Sequence, residues 1–97
     1  MAHLYHTHSR KKFAGLVDTG ADVSVISSSL WPSSWLKHPT NMKLEGVRKA
    51  EEVHQSTFIL ACTGPDGQKG TIQPYIMPIP INLWGRDLLA QWETEIN

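Results

Sequence analysis

Cysteine is nearly absent from these 97 residues: Cys62 stands alone, so no disulfide can close within the chain and nothing argues for an oxidising compartment. It reads as a buried small hydrophobe. Long apolar runs are missing too. No stretch approaches the ~20 residues of a membrane span and the first residues hold no signal-peptide core, so a soluble intracellular protein is expected. Net charge is also lacking, because nine Lys and Arg balance nine Asp and Glu, which leaves no field to recruit nucleic acid or a membrane as the main partner. Repeats, linkers and low-complexity segments are absent, so residues 1–97 are expected to form a single domain. A domain of this size buries a limited share of its surface and commonly gains stability by oligomerising. Residues 1–11 are expected to be a poorly ordered N-terminal segment, locally basic through His3, His6 and His8 beside Arg10, Lys11 and Lys12. His6 and His8 would share a strand face, but no Cys or carboxylate in that stretch completes a ligand set, so neither metal nor other cofactor is expected.

What is present is a series of short β-branched segments punctuated by Gly, Pro and Ser, the pattern of an all-β barrel or sandwich. Strands are expected over residues 13–17, 23–26, 42–47, 52–62, 71–77 and 81–84. Thr63-Gly64-Pro65-Asp66-Gly67 reads as the turn of a hairpin, because Pro presets the first central dihedral and Asp and Gly tolerate the others. Beyond Gly85 the period changes: Leu88, Leu89 and Trp92 fall on one face at helical spacing, which predicts a short helix over 86–91. Trp31, Trp35 and Trp84 read as packing residues, and Trp92 as a contact between helix and sheet.

The segment Leu16-Val17-Asp18-Thr19-Gly20-Ala21-Asp22-Val23-Ser24-Val25-Ile26 sets an acid, a hydroxyl and a glycine between two apolar runs. A carboxylate in a turn between buried strands is partly desolvated, which suits it to acid or base work. Hydrolysing a peptide without metal or covalent intermediate needs a base to activate water and an acid to polarise the carbonyl, roles that two adjacent carboxylates sharing one proton divide. Asp-Thr-Gly occurs once in the chain. The economical source of the second carboxylate is therefore a two-fold dimer that brings two copies of Asp18 together.

Leu16-Val17 and Ala21 to Ile26 around that tripeptide resemble the active-site segment of retroviral proteases, the retropepsins, and Leu83-Trp84-Gly85-Arg86-Asp87-Leu88-Leu89 is similar to the signature near their C-terminus. Trp31-Pro32, Trp35, Gln55-Ser56-Thr57 and the Pro-Ile-Pro-Ile-Asn-Leu-Trp stretch at 78–84 look most like betaretroviral and related endogenous retroviral proteases. The resemblance covers residues 12 to 97. It implies an all-β, retropepsin-like closed barrel with a flap hairpin and one short C-terminal helix, assembled as a two-fold homodimer. It also implies an aspartic endopeptidase that cleaves retroviral polyprotein at hydrophobic sites, acting in virions where it is packaged. Asp18 would be the catalytic acid or base, and Thr19 and Gly20 the active-site loop, with the Thr19 hydroxyl crossing the two-fold axis. Asp22 would meet substrate main chain and pair with Arg86. Ala21, Asp22, Val23, Gly46, Val47, Pro80, Ile81 and Leu83 would bind an extended peptide, although strand alternation alone also allows Ile81 and Leu83 as barrel core. Thr19, Thr94, Glu95, Ile96 and Asn97 would form the dimer interface.

Two departures from the family pattern stand out. The flap tip is usually Gly, an apolar residue and Gly, whereas here Gly46-Val47 is followed by Arg48. A side chain at a positive φ costs about 1–2 kcal/mol, which would disturb flap closure. Only seventeen residues precede Asp18, so the N-terminal strand of the dimer sheet is expected to be shortened and the dimer weakened. Glu93 and Glu95 near a two-fold axis would add repulsion at neutral pH. Three readings follow: an active homodimeric endopeptidase, a catalytically weak or inactive endogenous retroviral remnant, and a peptide-binding module that does not cleave.

Overall fold

The computed structural model describes residues 2–6, 9–43 and 52–94. Among these residues ten strands and one helix follow in order: β1 (Ala2–His6), β2 (Ser9–Phe13), β3 (Gly15–Val17), β4 (Val25–Ser27), β5 (Lys37–Lys43), β6 (Glu52–Ser56), β7 (Leu60–Thr63), β8 (Lys69–Ile72), β9 (Tyr75–Met77), β10 (Asn82–Trp84) and α1 (Arg86–Thr94). They form a four-stranded sheet in the order β2-β1-β7-β8 and a six-stranded sheet in the order β3-β10-β4-β9-β6-β5. Leu4, Ile26, Trp35, Leu60, Cys62, Ile76, Trp84 and Leu88 fill the core, to which both sheets and the helix contribute. Burial, and then the negative charge of Asp87, push the Cys62 thiol up to about 12, so it stays protonated.

Strands run shorter than the hydrophobic runs suggest, because local chemistry breaks the ladders. The 52–62 run divides into β6 and β7 in different sheets, turning a corner where the Ser56 hydroxyl donates to the Phe58 carbonyl (2.6 Å) and the Thr57 N–H to the Leu36 carbonyl (3.1 Å). The 71–77 run is interrupted at Pro74, which has no N–H to offer a ladder. β5 starts earlier than expected and carries Pro39, tolerable because β5 is the edge of its sheet. The predicted turn closes the β7–β8 hairpin, with the Gly64 N–H donating to the Gln68 carbonyl (2.7 Å) and Gly67 in the left-handed region at φ 83°.

The largest difference lies at the N-terminus. Instead of the poorly ordered segment expected, β1 and β2 pair as an antiparallel hairpin, and β1 also pairs with β7. Ala2 and Leu4 are fully buried, so two apolar side chains alternating with polar ones suffice to seat the strand despite the basic composition. The helix runs to Thr94, three residues beyond its expected end.

One topological feature positions the site. β10 runs parallel to β3 and antiparallel to β4, and so separates two strands that are consecutive in sequence. The chain between Val17 and Val25 must therefore cross the carboxyl end of β10. That crossing is Asp18 to Ser24.

Candidate active site

Backbone bonds hold the crossing loop at both ends. The Asp18 N–H donates to the Trp84 carbonyl (3.0 Å), which extends the β3–β10 pairing one step, and the Ala21 N–H donates back to the Asp18 carbonyl (3.1 Å). The Gly20 N–H donates to Asp18 Oδ1 (3.0 Å), so the half-buried carboxylate is oriented by its own turn. A β-carbon on Gly20 would come within 3.3 Å of that oxygen, closer than ordinary contact.

The start of α1 closes on the same loop from the other side. The Arg86 N–H donates to the Ala21 carbonyl (2.9 Å) and the Asp87 N–H to the Asp22 carbonyl (3.2 Å). The structure brings Arg86 and Asp22 together as an ion pair between Arg86 Nη2 and Asp22 Oδ1, with both side chains exposed. Such an exposed pair is worth at most ~1 kcal/mol, so its main effect is on geometry. Gly85 is required by space: a β-carbon there would fall 2.4 Å from the Val23 carbonyl oxygen and 3.0 Å from that of Ala21. The loop and the helix start are in backbone contact.

Three polar side chains that the sequence reading gave no role complete the latch. Asp87 accepts the Ser24 N–H on Oδ2 (3.1 Å) and the Ser24 hydroxyl on Oδ1 (2.8 Å), while its Oδ1 also takes the Leu88 N–H (2.8 Å). Ser24 Oγ in turn accepts the Gly85 N–H (3.0 Å). Asn82, fully buried, accepts the Ser27 N–H (2.7 Å) and donates to the Ala14 carbonyl (2.8 Å), which ties the chain on either side of β10 together. An acid in the first turn of a helix is a legible signal; Ser24 and Asn82 carry none without the topology.

The apolar residues around Asp18 are not all core. Val25 and Ile26 are buried as expected, but Leu16 and Val17 are 57% and 62% exposed, so only the strand after the acid is enclosed by this chain. On β10, Asn82 and Trp84 point inward and Leu83 lies half-buried on the opposite face, while Ile81 is 39% exposed. Ile81 is therefore at the surface rather than in the barrel core, while Leu83 is only partly enclosed. Ala21 and Val23 are half-buried, and Asp22 and Pro80 exposed. Thr19, exposed, borders a pocket of about 280 Å³ with Arg86, Leu89 and Ala90. Gly46, Val47 and Arg48, like Glu95, Ile96 and Asn97, lie outside the described residues, and Thr94 is the last residue of α1. Among the described residues no three His, Cys, Asp or Glu side chains converge as metal ligands.

Chemically, the loop holds one oriented carboxylate at a surface lined by apolar side chains. Asp22 and Asp87 are already engaged, with Arg86 and Ser24 respectively, so neither is placed to act as a second acid beside Asp18.

Comparison with known proteins agrees with this geometry. The family profile described as retroviral aspartyl protease matches residues 6–97. The human endogenous retrovirus group K member 25 Pro protein is 59% identical over 86 residues, covering 89% of this chain and 55% of its own length. The member 21 Pro protein is 58% identical over the same extent. The chain thus spans about half the length of these curated relatives. Among solved structures, EIAV protease complexed with the inhibitor HBY-793 superposes with a TM-score of 0.63 at 23% identity, covering 84% of this chain and 77% of that one. That likeness supports the fold.

Proposed function

Because the chain belongs to the retroviral aspartyl protease family, we propose that it is an aspartic endopeptidase whose active site forms where two copies meet, each supplying Asp18. The observation that carries this reading is the isolation of Asp18 among the described residues: its loop is held by backbone bonds at Asp18, Gly20, Ala21, Asp22 and Ser24, and the neighbouring Asp22 and Asp87 are engaged elsewhere. A rigidly held half-site calls for its symmetric counterpart. The exposed Leu16 and Val17 next to it, and the Thr19 pocket, supply apolar and polar surface for that contact. Thr19 would cross the axis, and 94–97 would extend the interface.

Two carboxylates brought close together cannot both ionise, so they share one proton. The ionised Asp18 takes a proton from a water molecule held between them as its oxygen bonds to the peptide carbonyl carbon. The protonated Asp18 of the other copy gives its proton to the carbonyl oxygen, and a neutral gem-diol results. Return of a proton to the amide nitrogen and loss of one from a diol hydroxyl then break the C–N bond and release acid and amine. Substrate would lie as an added strand over the loop, its bulky apolar side chains against Ala21, Val23, Pro80, Ile81 and Leu83, with Asp22 on its main chain and Gly46 and Val47 closing from above. A retroviral polyprotein, extended and apolar at its junctions, suits such a cleft.

The test is cleavage of a hydrophobic reporter peptide at mildly acidic pH by the chain and by Asp18→Asn. Activity abolished by the substitution is the expected result. Peptide binding without cleavage by either protein would favour the non-cleaving module, and neither binding nor cleavage the inactive remnant.

A further inference from the structure

The two edges of the four-stranded sheet are treated differently. At β8 the Gln91 side chain imitates a neighbouring strand: its Nε2 donates to the Thr71 carbonyl (2.6 Å) and its Oε1 accepts the Thr71 N–H (2.8 Å), so this edge is closed from within. At β2 the outer edge has no partner strand among the described residues. It carries instead Arg10, Lys11 and Lys12, all exposed and without an ion-pair partner among the described residues. Edge cations commonly serve to repel unwanted strands. Here Lys11 and Lys12 also border a pocket of about 380 Å³ whose other lining residues are apolar: Phe13, Ala14, Leu30 and Pro32, with Leu30 53% exposed.

Register defines what would fit. Lys11 and Phe13 lie opposite the buried Leu4 and Ala2, on the core side, and Arg10 and Lys12 opposite Tyr5 and His3 on the outer side. A strand added to β2 would place alternate side chains against those two sets. We propose that the β2 edge is a docking site for an extended acidic peptide of the pattern acidic–aliphatic–acidic, its carboxylates meeting Arg10 and Lys12 and its aliphatic side chain entering the pocket between Lys11, Leu30 and Pro32. The three cations that repel a basic strand attract this one. Single-stranded nucleic acid fits less well, since no exposed aromatic side chain borders the pocket for a base to stack on. His3 reports the local field: desolvation, followed by the charges of Arg10 and Lys12, lowers its pKa below the usual histidine value. None of the pocket's lining residues belongs to the Asp18 to Ser24 loop, and the site does not depend on the chemistry of Asp18.

The probe is the blocked peptide acetyl-Thr-Glu-Ile-Glu-Thr-amide, titrated calorimetrically into the full chain at neutral pH and low salt. Saturable binding is expected, weakened about tenfold or more by Arg10→Glu with Lys12→Glu and restored for that variant by the charge-swapped Thr-Lys-Ile-Lys-Thr peptide. The His3 titration midpoint, followed by NMR, should rise on saturation as carboxylates join its two cationic neighbours. A saturating hydroxyethylene-isostere peptide directed at the cleft should leave binding unchanged. Absence of binding, equal binding by the variant, displacement by the cleft ligand, or binding of oligouridylate in place of the peptide would each overturn the proposal.

Discussion

Asp87→Asn tests whether the latch on the Asp18 loop depends on a carboxylate. As an acceptor with two oxygens, Asp87 takes the Ser24 N–H on one and the Ser24 hydroxyl and Leu88 N–H on the other. An amide in either flip sets its NH2 against a backbone N–H, that of Ser24 in one orientation and of Leu88 in the other. One charge-assisted bond is lost, at a cost of about 1.5–3 kcal/mol. In a domain of this size each kcal/mol lowers Tm by about 4–8 °C, so a fall of roughly 10 °C is expected. Both proteins must be melted at one concentration, because dimerisation would add to apparent stability. Ser24→Ala removes the hydroxyl that accepts the Gly85 N–H, and the double substitution should cost about 1 kcal/mol less than the sum, since both remove the same contact. A Tm for Asp87→Asn within ~2 °C of the parent, together with additive single effects, would refute the reasoning.

Gly85→Ala should prevent folding or lower Tm by well over 10 °C, since its β-carbon would sit against the Val23 carbonyl; a folded, active variant by circular dichroism and peptidase assay would count against the close approach. Cys62 has a folded pKa of about 12 against an ordinary 9.0. Its contribution to stability is therefore complete below pH 9 and is lost as pH rises from 9 towards 12, with a slope of up to ~1.4 kcal/mol per pH unit; urea titrations of the chain and of Cys62→Ala across that range should show this additional slope only in the parent, over the slope both share from lysines and tyrosines. On the expectation that position 48 takes a positive φ, where a side chain costs about 1–2 kcal/mol, Arg48→Gly should raise the rate of reporter-peptide cleavage, and unchanged rates would show that the position needs no glycine.

How much of this was legible in the sequence differs by element. The Asp18 loop, the Asp22–Arg86 pair, the 63–67 turn and the C-terminal helix are local or carried by motif, and the structure has all four. The N-terminal hairpin was not, because its seating rests on a few buried side chains, Ala2, Leu4 and Phe13, and Leu4 pairs with Cys62 almost sixty residues away. Nor were the exposed Leu16 and Val17. Alternation shows that a strand has an apolar face, not whether that face is covered by its own chain or left for another. Ser24 and Asn82 become functional candidates only through the topology, in which β10 separates β3 from β4 and draws their backbones together.

The central claim is that one active site is built from two chains, and subunit mixing tests it most directly. Equal amounts of the chain and of Asp18→Asn, combined at a concentration where dimers dominate and allowed to exchange, should give about half the cleavage rate of the active protein alone, because random pairing leaves half of its chains in mixed, inactive dimers. A rate that does not change on adding the inactive chain would mean that each copy of Asp18 works without a partner, and would contradict the account.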